Sequence, residues 1–272
     1  MPGADDQLAA EAALLAGTLR EAGQLAAGMF GTDVRSWIKD FSSPVSDADI
    51  AVNHFLEERL RSFNPDYGWL SEESADDLAR LERPRVWVVD PIDGTRAFLN
   101  KRKDWSISVA LVEHGVPVLG CVYAPMSDEF YLAERGKGAT LNASAINAAR
   151  GTDLDLTRIA APQSILDRVA KISGGTAGYP RIGSLALRMC RVANGALDVA
   201  FAGGHSRDWD IAAADLIISE AGGAMTELTG ENLRYNGPEV AHGILMAAGR
   251  SRHRHLLEAL SHKPVFNANA PI

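Results

Sequence analysis

Val86-Trp87-Val88-Val89-Asp90-Pro91-Ile92-Asp93-Gly94-Thr95 is the stretch from which the rest of the chain can be read. Its first four residues are β-branched or aromatic with no polar break, the pattern of a buried strand. Pro91 has no backbone donor, so the strand is expected to end there with Asp90 as its last residue. Asp93 then falls in the turn beyond, and Gly94 accepts backbone angles that other residues resist. Two carboxylates at the mouth of a buried strand are costly unless something positive joins them. A hard divalent cation such as Mg2+, which prefers carboxylate oxygens, would meet that need. A solvated Asp-Pro turn, with Asp93 capping a helix, is the alternative.

The composition narrows the setting. A chain of 272 residues can form one large domain or two intimate halves. With 46% hydrophobic and 23% charged residues, a full core is expected and disorder is not. The first residues carry Asp5 and Asp6 and no basic segment, unlike a secretory signal. No apolar run approaches the roughly 20 residues that span a bilayer. Cys121 and Cys190 each lie in an apolar segment and read as buried thiols, so a cytoplasmic protein with no membrane partner is expected. The net charge of −8 argues against a nucleic-acid polymer as partner. It leaves room for a small phosphorylated substrate, because bound metal ions can reverse the charge of a site.

Working outward, Leu8, Leu15, Leu19 and Leu25 recur at helical spacing within an Ala-rich helix from about Asp5 to Phe30. Lys39 to Pro44 is a polar loop. Ser46 opens a second helix whose buried side carries Val52, Phe55, Leu56, Leu60 and Phe63. Ser46-x-x-Asp49 is a capping-box spacing, so Asp49 reads first as a carboxylate facing the helix dipole. Tyr67 to Leu70 is a short strand running into Ser71-Glu72-Glu73-Ser74. Paired glutamates are ordinarily surface charge, but these come straight off an apolar run. Beyond the central stretch, strands are expected over about 105–113, 116–123 and 129–133, with connections short enough for an antiparallel meander.

Apolar periodicity fades between about Ala143 and Leu156, which divides the chain. Residues 1–150 form an N-terminal α+β half and 151–272 a C-terminal α/β half, the two expected to make one unit. In the second half, Arg158 to Ala161 and Leu197 to Phe201 read as strands, and Ser184 to Ala193 as a helix with Ser184 capping. Gly203 to Asp208 reads as a loop, and Trp209 to Ala221 as a helix stopped by Gly222-Gly223. A late strand over 243–248 and a closing helix over 250–260 complete the pattern. The expected class is α+β, a layered α-β-α-β-α sandwich with mainly antiparallel sheets. Asp210, early in its helix, is by itself ordinary dipole compensation or a metal ligand.

Together these segments supply Glu72, Asp90, Asp93 and Asp210, each at the end of an element beside an apolar run. In this order the motifs Ser43-Pro44-Val45-Ser46-Asp47-Ala48-Asp49, Ser71-Glu72-Glu73-Ser74, Asp90-Pro91-Ile92-Asp93-Gly94-Thr95 and Trp209-Asp210-Ile211-Ala212-Ala213-Ala214 resemble those of the inositol-monophosphatase superfamily. Glu220-Ala221-Gly222-Gly223 continues the likeness, which covers nearly the whole chain. The resemblance implies a Mg2+-dependent phosphomonoesterase acting on a small phosphate ester. It implies two or three metal ions, Mn2+ as a substitute, inhibition by Li+ and Ca2+, and a homodimer. Glu72, Asp90 and the Ile92 carbonyl would hold one metal, and Asp90, Asp93 and Asp210 a second, with Glu72 also near a weaker third. Asp49 and the Thr95 hydroxyl would orient and deprotonate the attacking water. The Gly94 and Thr95 N–H groups would receive the phosphate, and Glu73 would stand just behind the ligands.

The chemistry makes matching demands. Hydrolysis of a phosphate monoester brings water onto a dianionic group, so catalysis is chiefly positioning and charge neutralisation. Paired metals clamp the attacking and leaving oxygens. Thr95-Arg96-Ala97-Phe98 and Gly120 to Pro125 look more like the 3'(2'),5'-bisphosphate nucleotidase branch. Gly203 stands where inositol-hydrolysing members place a glutamate. The favoured substrate is therefore 3'-phosphoadenosine 5'-phosphate over inositol 1-phosphate, with histidinol phosphate and sugar bisphosphates as further options. His205, Ser206 and Arg207 either face a base or second phosphate or sit in a solvated loop. A haloacid-dehalogenase-type phosphatase needs Asp-x-Asp, and here the carboxylates are three apart. A metal- or phosphate-binding regulatory protein that has lost turnover is the non-enzymatic rival.

Overall fold

The structure is a computed structural model that describes residues 4–39, 43–167 and 178–261. Helix α1 (Ala4–Met29) leads to the hairpin β1 (Ser36–Ile38) and β2 (Pro44–Ser46), then to α2 (Asp47–Phe63). A seven-stranded sheet follows: β3 (Gly68–Ser71), β4 (Arg85–Asp93), β5 (Ser106–Glu113), β6 (Val116–Ala124), β7 (Glu129–Glu134), β8 (Gly138–Leu141) and β9 (Ser144–Ala145), paired in chain order. The short helix α3 (Thr95–Leu99) sits between β4 and β5. All pairs are antiparallel except β3 with β4.

The second half supplies β10 (Ile159–Ala160), α4 (Leu185–Ala193), β11 (Val199–Ala202), β12 (Ser206–Arg207) and α5 (Asp208–Glu220). It ends with β13 (Gly223–Glu227), β14 (Ala241–His242), β15 (Leu245–Gly249) and α6 (Arg250–Ser261). Strands β10, β11, β15 and β13 form a four-stranded sheet in that order.

Burial explains the layering. Strand β4 is apolar without alternation because both its faces are covered. Trp87 and Val89 pack with Leu15, Leu19, Leu56 and Leu60 of α1 and α2. Val86 and Val88 pack on the opposite face with Leu187 of α4 and Ile211 of α5. Helices α4 and α5 also cover one face of the four-stranded sheet, and α6 covers the other through Leu256, Leu257 and Leu260 on Phe201 and Met246. The result is the expected α-β-α-β-α order, with both thiols buried. Gly120 brings α5 close to β6: a Cβ there would lie 2.7 Å from the Ala213 carbonyl oxygen.

Four expectations need correction. Pro91 does not end its strand. Strand β4 runs on to Asp93, and its register against β5 shifts between Asp90, opposite Ser108, and Asp93, opposite Ser106. Three steps on one strand match two on the other, so an irregularity absorbs the proline's missing donor. Ser206-Arg207 is not plain loop but a short strand paired with Ala241-His242, a partner too distant in sequence to foresee. Helix α5 stops before Gly222 as expected, but Gly223, read with it as part of the stop, opens strand β13. Leu25 and Phe63 are exposed, and Ala22 and Ala26 take the buried stripe of α1 instead. Part of the Lys39 to Pro44 loop, residues 40–42, lies outside the described residues.

Candidate active site

Four elements end at one cavity of about 500 Å3: β3, β4 with α3, the start of α4, and the start of α5. Glu72, Asp90, Asp93 and Asp210 all line it, as do Gly94 and Thr95. Carboxylate oxygens of Glu72, Asp90 and Asp210 lie within 4.8 Å of one another. Asp90 is buried, and its Oδ1 is sealed from solvent with no hydrogen-bond partner. Burial first, then the charges of Glu72, Asp93 and Asp210, push its carboxyl well above the usual range. Burial and the charges of Asp93 and Glu72 push Asp210 the same way. Three carboxylates gathered this closely, one of them with an unpartnered buried oxygen, form a donor set that suits a hard divalent cation.

The other carboxylates are held by backbone and hydroxyl donors. Asp93 Oδ2 accepts from the Ser184 hydroxyl at 2.6 Å and the Ala186 N–H at 2.6 Å. Burial still lifts its pKa to about 6, against those bonds. Asp210 Oδ2 accepts the Arg207 N–H at 2.7 Å, which closes the start of α5. Asp49 divides its work. Oδ2 accepts from Ser46 N (2.8 Å) and Ser46 Oγ (2.5 Å), which is the capping role. Oδ1 accepts from the Thr95 hydroxyl at 3.0 Å, across 46 residues of chain. The Thr95 hydroxyl also lies 3.1 Å from the Ile92 carbonyl oxygen. Burial raises the Asp49 pKa, which makes its carboxylate a stronger base than a free aspartate.

Gly94 precedes α3 with φ +92°, a left-handed conformation suited to glycine. A Cβ there would lie 3.0 Å from Ser184 N, so a side chain would push α4 away from Asp93. Glu73 points inward with its side chain 5% exposed, and burial raises its pKa to about 7. Lys39 reaches both glutamates, Nζ lying 2.8 Å from Glu72 Oε1 and 2.5 Å from Glu73 Oε1.

Of the three loop residues singled out in the sequence, two reach the site. His205 and Arg207 border an adjoining cavity of about 810 Å3 that shares Glu72 and Asp210. Ser206 does not. It is buried, and its hydroxyl donates to the Gly203 carbonyl at 3.2 Å. Sequence reasoning missed Lys39 and gave Ser184 only its capping role, which is real: its Oγ accepts the Leu187 N–H at 2.8 Å. It also missed Arg102 and Arg181 on the cavity wall, where Arg96 stands too. Isolated cations in polar loops have no periodic signal that could have marked them.

Comparison with known proteins agrees with the family resemblance read from the sequence. A sequence model of the inositol monophosphatase family matches residues 8–264. A relative named putative Nus factor SuhB, from Neisseria meningitidis serogroup B, is 36% identical over 225 residues, covering 78% of this chain and 85% of the relative. A relative named 3'(2'),5'-bisphosphate nucleotidase CysQ, from Aggregatibacter actinomycetemcomitans, is 30% identical over 230 residues, covering 81% and 85%. The solved structure of an IMPase/NADP phosphatase complexed with Mg2+ and phosphate shares the fold. Its TM-score is 0.82 at 23% identity, over 95% of this chain and 97% of that one.

Proposed function

Because this chain belongs to the inositol monophosphatase family, we propose that it hydrolyses a small phosphate monoester with divalent-metal help. The observation that carries this reading is the unpartnered, buried Asp90 Oδ1 within a knot of carboxylates open to one cavity. Glu72, Asp90, Asp93, Asp210 and the Ile92 carbonyl would hold Mg2+, with Mn2+ as substitute and Li+ and Ca2+ as inhibitors. The bound cations would supply positive charge against the phosphoryl oxygens and acidify a water. This chain's own residues do the rest. Thr95 orients the water and Asp49 accepts its proton through the 3.0 Å contact between them. The N–H groups of Gly94 and Thr95, at the first turn of α3, receive the phosphate. Glu73 and Lys39 fix Glu72 from behind.

The favoured substrate is 3'-phosphoadenosine 5'-phosphate. The nucleotidase name of the 30% relative supports it, as do Arg96, Arg102 and Arg181 on the cavity wall, which suit a second phosphate. The 36% relative's name favours a second reading, a partner-binding role in which the cavity holds a ligand without turnover. A phosphate-release assay with Mg2+ separates them. Purified protein is offered 3'-phosphoadenosine 5'-phosphate, inositol 1-phosphate, histidinol phosphate and a sugar bisphosphate. Fastest release from the nucleotide is expected. Preference for another ester overturns the substrate, and release from none overturns the phosphatase reading.

A further inference from the structure

A second cavity, of about 540 Å3, lies between α5, β13, α6 and the β5–β6 turn, and none of its lining residues borders the carboxylate site. Helix α6 is anchored on one side by buried groups. Arg252 donates from Nε to the Asp153 carbonyl (2.7 Å) and from Nη1 to the Ala149 carbonyl (3.2 Å). His253 Nε2 lies 3.1 Å from Thr226 Oγ1. That anchoring turns Arg250 and Arg254, four residues apart, toward the cavity. Like charges at this spacing repel, and the positive end of the helix dipole at Arg250 adds to them. Arg135 and Arg234 border the same space from the opposite wall.

The acidic residues there are committed elsewhere. The Glu220 oxygens accept the Gly136 and Gly138 N–H groups at 2.8 and 2.9 Å. Asp215 Oδ2 accepts the Tyr235 hydroxyl at 2.8 Å, and burial raises its pKa to about 6. Among the described residues, Arg234, Arg250 and Arg254 have no carboxylate partner. Arg135, Arg234, Arg250 and Arg254 are all exposed, so their guanidiniums are hydrated and free to turn into the concavity, where together they set up a local positive potential in a chain of net charge −8. The rest of the lining includes the apolar side chains of Val116, Leu216, Met225 and Leu257.

We propose that this cavity is a binding site for a nucleoside polyphosphate, its base on these apolar side chains and its phosphates among Arg135, Arg234, Arg250 and Arg254. Arginine forks match phosphate oxygens in pairs, and the volume fits a ligand of nucleotide size. Helix α5 links the two sites, carrying Asp210 in its first turn and bordering the new cavity from its last.

The test is calorimetric titration of the full chain with ATP in EDTA, where the metal-free carboxylates repel anions from the other cavity. ATP is expected to bind wild type, with affinity reduced at least tenfold in Arg250→Ala/Arg254→Ala and unchanged in Asp93→Asn. Inorganic tripolyphosphate, lacking a base, should bind more weakly than ATP. No binding by wild type at millimolar ATP, undiminished binding in the double variant, or loss of binding in Asp93→Asn overturns the site. Equal affinity for tripolyphosphate and ATP overturns the nucleoside assignment.

Discussion

Replacing Asp90 by asparagine should make the metal-free protein more stable and abolish its response to divalent cations. Asparagine has nearly the same shape, so β4 and its pairing with Ser108 should persist. What changes is charge. At the 4.8 Å that bounds the oxygen cluster, two carboxylates repel by roughly 3 kcal/mol at an effective dielectric of 20. The substitution removes two such pairs, with Glu72 and with Asp210. The wild type escapes part of that cost by taking up a proton, as the raised Asp90 and Asp210 groups indicate. The net gain at pH 8 should then be about 2 kcal/mol, or about 4 °C in Tm for a chain of this length. Thermal melts in EDTA and in Mg2+ read both effects. Wild type should melt lower than the variant in EDTA and rise with Mg2+, while the variant should not respond. A variant less stable than wild type in EDTA at pH 8, or one stabilised equally by Mg2+, would refute the reasoning.

The raised acids also fix a pH dependence. Asp93 at about 6 and Glu73 at about 7 both lie above their ordinary values of 3.8 and 4.5. In that window the folded protein keeps protons that the unfolded chain has released, so stability is lost as pH rises. Urea midpoints in EDTA should fall between pH 5 and pH 8, and a midpoint that rises counts against the assignment. Ser184→Ala removes a helix cap and a donor to Asp93 together, and should cost about 2 kcal/mol. It should also raise the Asp93 pKa further and weaken Mg2+ binding about tenfold, read by titration at pH 7. Thr95→Ala should lower kcat by about 100-fold with little change in KM, and Thr95→Ser should restore most of it. A serine variant as slow as the alanine one would detach the hydroxyl from the chemistry.

Where the sequence carried its own local physics, it was readable. The uninterrupted Val86 to Val89 run marked a strand covered on both faces, and Ser46-x-x-Asp49 marked the start of α2. Asp49 looked like a choice between cap and site residue, but a carboxylate has two oxygens and the structure uses one for each contact. What stayed hidden depends on chain segments meeting in space. Ser206-Arg207 is strand only because Ala241-His242 arrives beside it. Ser184 bonds Asp93 across 91 residues, which no spacing rule could anticipate. Pro91 misled because a donorless residue normally stops a ladder, and only the shift against β5 makes room for it.

The carboxylates of the site share a solution to their own repulsion. Asp49 accepts the Ser46 N–H at the start of α2, Asp93 the Ala186 N–H at the start of α4, and Asp210 the Arg207 N–H at the start of α5. Three helix N-termini therefore commit donors and positive dipole ends to the acidic cluster. Each spends a backbone N–H on one carboxylate oxygen, which lowers the energy of the acidic cluster before any cation arrives. Asp90 lies on a strand and has no such helix start, so its Oδ1 stays unpartnered. Asp93, which also accepts the Ser184 hydroxyl, is lifted only to about 6, whereas Asp90 and Asp210 are both raised well above the usual range. The hydrogen bonds locate the strain of the metal-free state. The helix starts give Asp49, Asp93 and Asp210 a backbone bond each, while Asp90 Oδ1 has none and is the oxygen that only a cation, a proton or an amide can relieve.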